Sequence, residues 1–126
     1  MDNNTEDDLT RADLKEVERF ADDLFRELGI DVAFTNHFFE RLNHPRNGRQ
    51  ITVFELKELF QEAFNQLKDE LGEMSIDAEA VINDVSSRLN IPFVLVYDAR
   101  HNELDLVAKT IMRKKDFKSR TPKFEI

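Results

Sequence analysis

IPFVLVYDARHNELDLVAKTIMRKK, residues 91–115, carries the clearest strand patterning in the chain. Phe93, Val94, Leu95, Val96 and Tyr97 form a short apolar run rich in β-branched and aromatic types. Leu104, Leu106, Ala108 and Thr110 alternate with Asp105, Val107, Lys109 and Ile111. A period of two places one set on a buried face and the other toward solvent. Residues 98–102 are short and polar enough to turn a hairpin between strands at 93–98 and 103–113. Continued to the end of the second strand, the alternation sends Lys109, Ile111 and Arg113 one way, and Ala108, Thr110 and Met112 the other. A lone hairpin is marginal in water, so the segments ahead of it are expected to cover one face.

Those segments read as helices. Thr10 and Asp13 have the spacing of a capping box, and Leu14, Val17, Phe20, Ala21, Leu24 and Leu28 follow at helical intervals, with Gly29 as the stop. Residues 30–34 form a connector or a short strand. A second helix is expected at 34–43, with Phe34, Phe38 and Leu42 inward, ended by Pro45. Thr52 and Glu55 make a second capping box, stapled by Ile51 and Leu56, and open a helix at 53–71. Ala78, Val81, Ile82, Val85 and Leu89 suggest a fourth helix at 77–89. Phe124 and Ile126 suggest a short edge strand at the end. The expected fold is α+β: three to four helices packed on one face of a small antiparallel sheet built on the C-terminal hairpin. The expected core holds Phe38, Leu56, Phe60, Phe64, Val85, Phe93, Leu95, Leu106 and Ala108. Residues 1–9 are expected to be a disordered acidic N-terminus, and residues 10–126 a single domain.

The 126 residues contain eleven Phe, three Gly and no Cys. Absence of Cys removes disulfides, thiolate metal sites and cysteine nucleophiles. No apolar run approaches the roughly 18–20 residues that span a membrane, so no membrane partner is expected. The net charge is −8, unevenly placed. Residues 1–31 hold eleven acidic and four basic side chains, whereas residues 109–123 hold seven basic side chains against Asp116 alone. Residues 41–49 add three Arg and one His without an acid. An acidic arm therefore precedes a body with two basic stretches.

His37 and Arg41 lie one helical turn apart, where a general acid or base could sit beside a phosphate-gripping fork; the same pair also fits a solvated helix face. Arg46 and Arg49, with His44, precede the 53–71 helix, whose N-terminus favours anions; they equally fit a charged surface turn. Lys109, Arg113, Lys114, Lys115 and Lys118 suit phosphate contacts with RNA or DNA, a lysine-guarded sheet edge, or neutralisation by the acidic first helix. The three His are too scattered for a metal set, so no metal is expected.

The combination of His37-x-x-x-Arg41, the basic turn, Ile51-Thr52-x-x-Glu55-Leu56 and the strand carrying Lys109 resembles small phage-encoded proteins similar to the barnase–EndoU–colicin–RelE class of metal-independent ribonucleases. The run DLVAKTIMRKKDF is also similar to proteins of tailed phages. The resemblance implies a helical half on an antiparallel sheet, a location in the host cytoplasm or the virion, and no cofactor. It implies that His37 acts as base or acid on a ribose 2′-hydroxyl, while Arg41, Lys109 and Arg113 hold the phosphate. The alternative is a non-enzymatic protein that binds a host or virion protein through its acidic N-terminal helix.

Overall fold

The structure, a computed structural model, describes residues 8–126. Helix α1 (Arg11–Phe25) opens where the Thr10 hydroxyl accepts the Asp13 N–H at 3.1 Å and the Asp13 carboxylate accepts the Thr10 N–H at 2.8 Å. It buries Leu14, Val17, Ala21 and Phe25. A tight turn at Arg26–Leu28 leads to Gly29, whose φ of 72° lets the chain reverse into strand β1 (Ile30–Phe34). Helix α2 (Asn36–Leu42) is capped by Thr35. Helix α3 (Val53–Glu73) begins on the full Thr52–Glu55 capping box, with Ile51 and Leu56 both buried as the staple requires. Strands β2 (Glu79–Asp84), β3 (Leu89–Asp98), β4 (Glu103–Ala108), β5 (Met112–Arg113) and β6 (Lys123–Glu125) complete the chain.

The sheet is mixed. Its order is β1-β4-β3-β2-β6, with β5 also paired to β3. The β3–β4 hairpin and the β2–β3 pair are antiparallel, but β1 runs parallel to β4 and β6 parallel to β2. This corrects the antiparallel expectation: both edge strands come from segments too short to declare a direction in sequence. The α+β class holds, with three α-helices among the described residues. Residues 77–89 are not a fourth helix but β2 and the turn after it. Ala80, Val81, Ile82 and Asn83 are all buried, and a strand covered on both faces reads as an unbroken apolar run that periodicity cannot separate from a helix. Val85, expected inside, sits 59% exposed in that turn.

A second correction concerns residues 103–113, which are not one continuous strand. Ala108 lies opposite Phe93, yet Met112, four residues on, lies opposite Asn90, only three residues back along β3. The extra residue is a bulge, and it reverses which face each later side chain meets. Lys109 therefore faces outward while Ile111 is buried and Arg113, opposite the inward Leu89, turns toward the helices.

The core lies between the helices and the inner sheet face, where Ile30, Val32, Ile82, Leu89, Ile91, Phe93, Leu95, Leu106 and Ala108 are buried. Phe60 meets Phe25 at 6.4 Å and Phe34 at 5.9 Å between ring centroids, both edge-on, joining α3 to α1 and β1. Phe64 is half-buried against this cluster. Leu9 is also in it, its N–H donating to the Asn43 side-chain oxygen at 2.9 Å and its carbonyl accepting the Asn43 amide at 2.8 Å; residues 1–7 of the expected disordered terminus lie outside the described residues. On the free edge of β1, the Asp22 carboxylate accepts the Val32 N–H at 2.6 Å. On the other side, the chain crosses from β5 over the outer face of β3 and β2 to reach β6. Val81, Asn83 and Asn90, which point outward, are buried at that end of the sheet. Phe60→Ala should lower unfolding free energy by about 3–5 kcal/mol in urea titration, because it empties a site shared by three elements.

Candidate nucleic-acid interface

Of the four residues expected to be catalytic, three have partners of their own. His37 stands in the first turn of α2, half-exposed, with Nδ1 3.9 Å from Glu40. Arg41 is half-buried at the end of the same helix. The start of α2 is pinned to the sheet, since the Thr35 hydroxyl donates to the Lys109 carbonyl at 2.8 Å. The Lys109 ammonium, however, leaves on the outer face and pairs with Glu79 of β2. Arg113 leaves on the inner face, and its side chain is only 8% exposed. Its guanidinium donates to both Glu55 carboxylate oxygens, at 3.0 and 3.1 Å, and to the Ser87 carbonyl at 2.9 Å. The expected shared face for Lys109 and Arg113 is thus undone by the bulge, and each cation already has a carboxylate.

Arg113 is a fastener. Burial would raise the Glu55 carboxyl, but hydrogen bonding and charge from Arg113, the Thr52 N–H and Arg49 outweigh it and hold the group below its ordinary value. Stability from this site is present above the ordinary carboxylate value of 4.5 and is lost as pH falls through the lowered folded value. Arg49, expected to meet an anion at the start of α3, instead meets Glu55 at 3.0 Å. His44 accepts the Arg46 N–H, capping the turn at Pro45–Asn47, and Arg46 itself is exposed.

The two basic stretches meet at β5. Asn47 accepts the Arg113 N–H at 3.1 Å, and the Arg113 guanidinium reaches the Arg49 carbonyl at 3.5 Å. Immediately beyond, Arg88, Lys114, Lys115 and Lys123 line a cleft of about 310 Å³ under the crossing segment. Asp116 and Glu125 share its wall. Asn90 shapes it from below, its amide donating to the carbonyls of Arg88, Met112 and Lys114 at 3.0–3.1 Å, while its oxygen accepts from Asn83 at 2.6 Å. Lys123 donates to the Phe117 carbonyl at 3.1 Å. Among the described residues, Arg88, Lys114 and Lys115 have no carboxylate within ion-pair distance. Lys118 lies exposed on the crossing segment. The acidic first helix does not neutralise this region: α1 packs on α3 and β1, at the opposite edge of the sheet from β6.

That opposite end of the outer face is acidic. Asp98, His101 and Glu103 have donor atoms within 4.8 Å of one another, as do Asp31, Glu103 and Asp105, a spacing that an oxygen-seeking divalent cation could bridge. A hydrogen bond with Asp31 raises the Glu103 carboxyl, burial followed by Asp98 and Asp31 raises Asp105, and the Asp98 carboxylate at 2.7 Å raises His101. In sequence, residues 98–102 read as a plain hairpin loop, which hides this group. Its visible trace is acid at every second position, Glu103 and Asp105, opposite a strand ending in Asp98; Asp31 joins only through the β1–β4 register. Comparison with known protein families, with curated proteins and with solved structures finds no match.

Two outcomes follow from these contacts. Arg113→Ala should cost about 3 kcal/mol in chemical denaturation, the low end for a broken buried pair because Glu55 keeps Arg49 and the Thr52 N–H; a side chain reserved for phosphate would leave stability unchanged. Asp105 and Glu103 behave oppositely to Glu55. A raised folded pKa gives stability that is full below the ordinary value and lost as pH rises through the raised one. Asp105→Asn should therefore melt higher than the parent at neutral pH, and the gap should close as pH falls toward the ordinary carboxylate value of 3.8.

Proposed function

We propose that the protein binds the phosphate backbone of RNA or DNA without cutting it, through the cleft lined by Arg88, Lys114, Lys115 and Lys123. The observation that carries this reading is the cleft itself: four cations from three separate segments line one cavity, and among the described residues three of them have no carboxylate within ion-pair distance. Its size suits one or two phosphate groups rather than a buried base. Lys118 on the crossing segment, and Arg46 and Arg49 beside β5, extend the positive surface along which a strand could run. Contacts of this kind hold the backbone and carry no sequence preference.

Strand cleavage of the kind implied by the sequence resemblance needs an acid or base and a phosphate clamp around one phosphodiester. Lys109 engaged with Glu79, and Arg113 engaged with Glu55, argue against that clamp. The ribonuclease class and a phage setting rest on the resemblance of sequence alone. No helix among the described residues is long and apolar enough to cross a membrane.

Fluorescence anisotropy with a labelled single-stranded oligonucleotide tests the reading. Affinity should fall as salt rises, with a slope of about −0.7 per phosphate neutralised. Lys114→Glu combined with Lys115→Glu should weaken binding at least about tenfold at low salt and flatten that slope. Unchanged binding in this variant sinks the proposal. RNA incubated with the parent protein in EDTA should remain intact, and His37→Ala should bind as the parent does.

A further inference from the structure

The outer sheet face, opposite the helices, has three zones along its length. At the hairpin end, outward side chains form two acidic rows, Val96–Asp105–Asp31 and Asp98–Glu103. Across the middle, Val94, Val107 and Ala33 make one apolar row over three strands, and Val96 beside it is 36% exposed. At the other end stands the basic cleft. Along β3, Arg88 and Asp98 are separated by about 33 Å at ~3.3 Å per residue, and Val94 falls near the midpoint.

Each charged zone keeps unpaired charge, although Asp98 pairs with His101 in the acidic zone and Asp116 and Glu125 share the wall of the basic cleft. Among the described residues, Asp31, Glu103 and Asp105 have no Lys or Arg in ion-pair reach, and Arg88, Lys114 and Lys115 have no carboxylate. The relief is complementary too. The crossing segment raises the basic end above the sheet, whereas the acidic end is bare.

We propose that this face is the contact surface of a symmetric dimer of the chain. A second copy turned by a two-fold axis through the Val94–Val107 row lays its raised basic end over the bare acidic end of the first, and the reverse contact forms at the same time. A polyanion matches one end and is repelled by the other, and a basic peptide has the converse fault. A surface of reversed polarity matches both, and the chain's own face is one. The face offers roughly 24 Å across five strands by ~33 Å between its charged ends, at most on the order of 800 Å² per copy. The pair thus buries at most about 1,600 Å², the standard size of a specific interface, and contact through its charged ends makes the dimer salt-sensitive. The inference shares Lys114 and Lys115 with the nucleic-acid reading but does not rest on it. If both hold, nucleic acid and the second copy compete for the cleft.

Sedimentation velocity at low salt, without nucleic acid, tests the dimer. The parent should associate as concentration rises and dissociate in high salt. Asp31→Lys with Asp105→Lys, and separately Lys114→Glu with Lys115→Glu, should each weaken self-association at least about tenfold, since each makes both ends alike. An equimolar mixture of the two variants should associate again, because their faces are then opposite throughout. Far-ultraviolet circular dichroism checks that each is folded; if the lysine variant is not, Asp31→Asn with Asp105→Asn replaces it, with a smaller loss expected. A parent that stays monomeric at millimolar concentration overturns the proposal, as does a dimer indifferent to both variants, or a mixture that fails to associate. The acidic-end variant separates the two readings: it should lose the dimer and keep oligonucleotide binding.

Discussion

The contact between Arg113 and Glu55 holds together parts of the chain that have no other reason to meet. Glu55 belongs to the capping box that starts the longest helix. Arg113 ends the shortest central strand and also grips the carbonyls of Ser87 and Arg49. One guanidinium, with donors fixed in a plane, thus sets the spacing of a helix start, a hairpin turn, a basic turn and a strand. A lysine could satisfy the charge but not four acceptors in those directions. The basic cleft depends on this arrangement, because Lys114 and Lys115 continue directly from Arg113.

What could be read in the sequence was local chemistry. The two capping boxes are legible since each is a four-residue pattern whose hydrogen bonds close within the pattern. The inward positions of β3 and β4 are legible because one face of each meets the core and the other does not. β2 defeats the same reasoning: the crossing segment covers its outer face, which removes the polar half of the alternation. The bulge between β4 and β5 is invisible for a different reason. Lys109-Thr110-Ile111 continues the alternating pattern without a Gly or Pro, and the extra residue shows only against the partner strand.

The site was legible in the same divided way. The charge of the two basic stretches could be counted from sequence, but their meeting at β5 depends on the Arg113 contacts across more than fifty residues. His37 and Lys109 were singled out by residue type. Their roles were decided by neighbours far along the chain: Glu40 is local, but Glu79 and Glu55 reach their partners only through sheet register and helix packing. A cation chosen by type alone carries no mark of whether it already has a counter-charge.

Asp22 closes one side of the sheet in a way that bears on the protein's behaviour in crowded solution. β1 is an edge strand, and an edge strand is a template onto which another chain can add. By accepting the Val32 N–H, Asp22 occupies a hydrogen-bonding position that an incoming strand would need, and its charge burdens any strand laid alongside. Burial pushes this carboxyl upward, partly opposed by the Val32 hydrogen bond, so it gives up its charge more readily in acid than an exposed aspartate would. The guard on β1 therefore weakens in acid before an exposed aspartate's would, whereas β6 is a three-residue edge bearing Lys123. Sheet-to-sheet aggregation in acid would begin at β1.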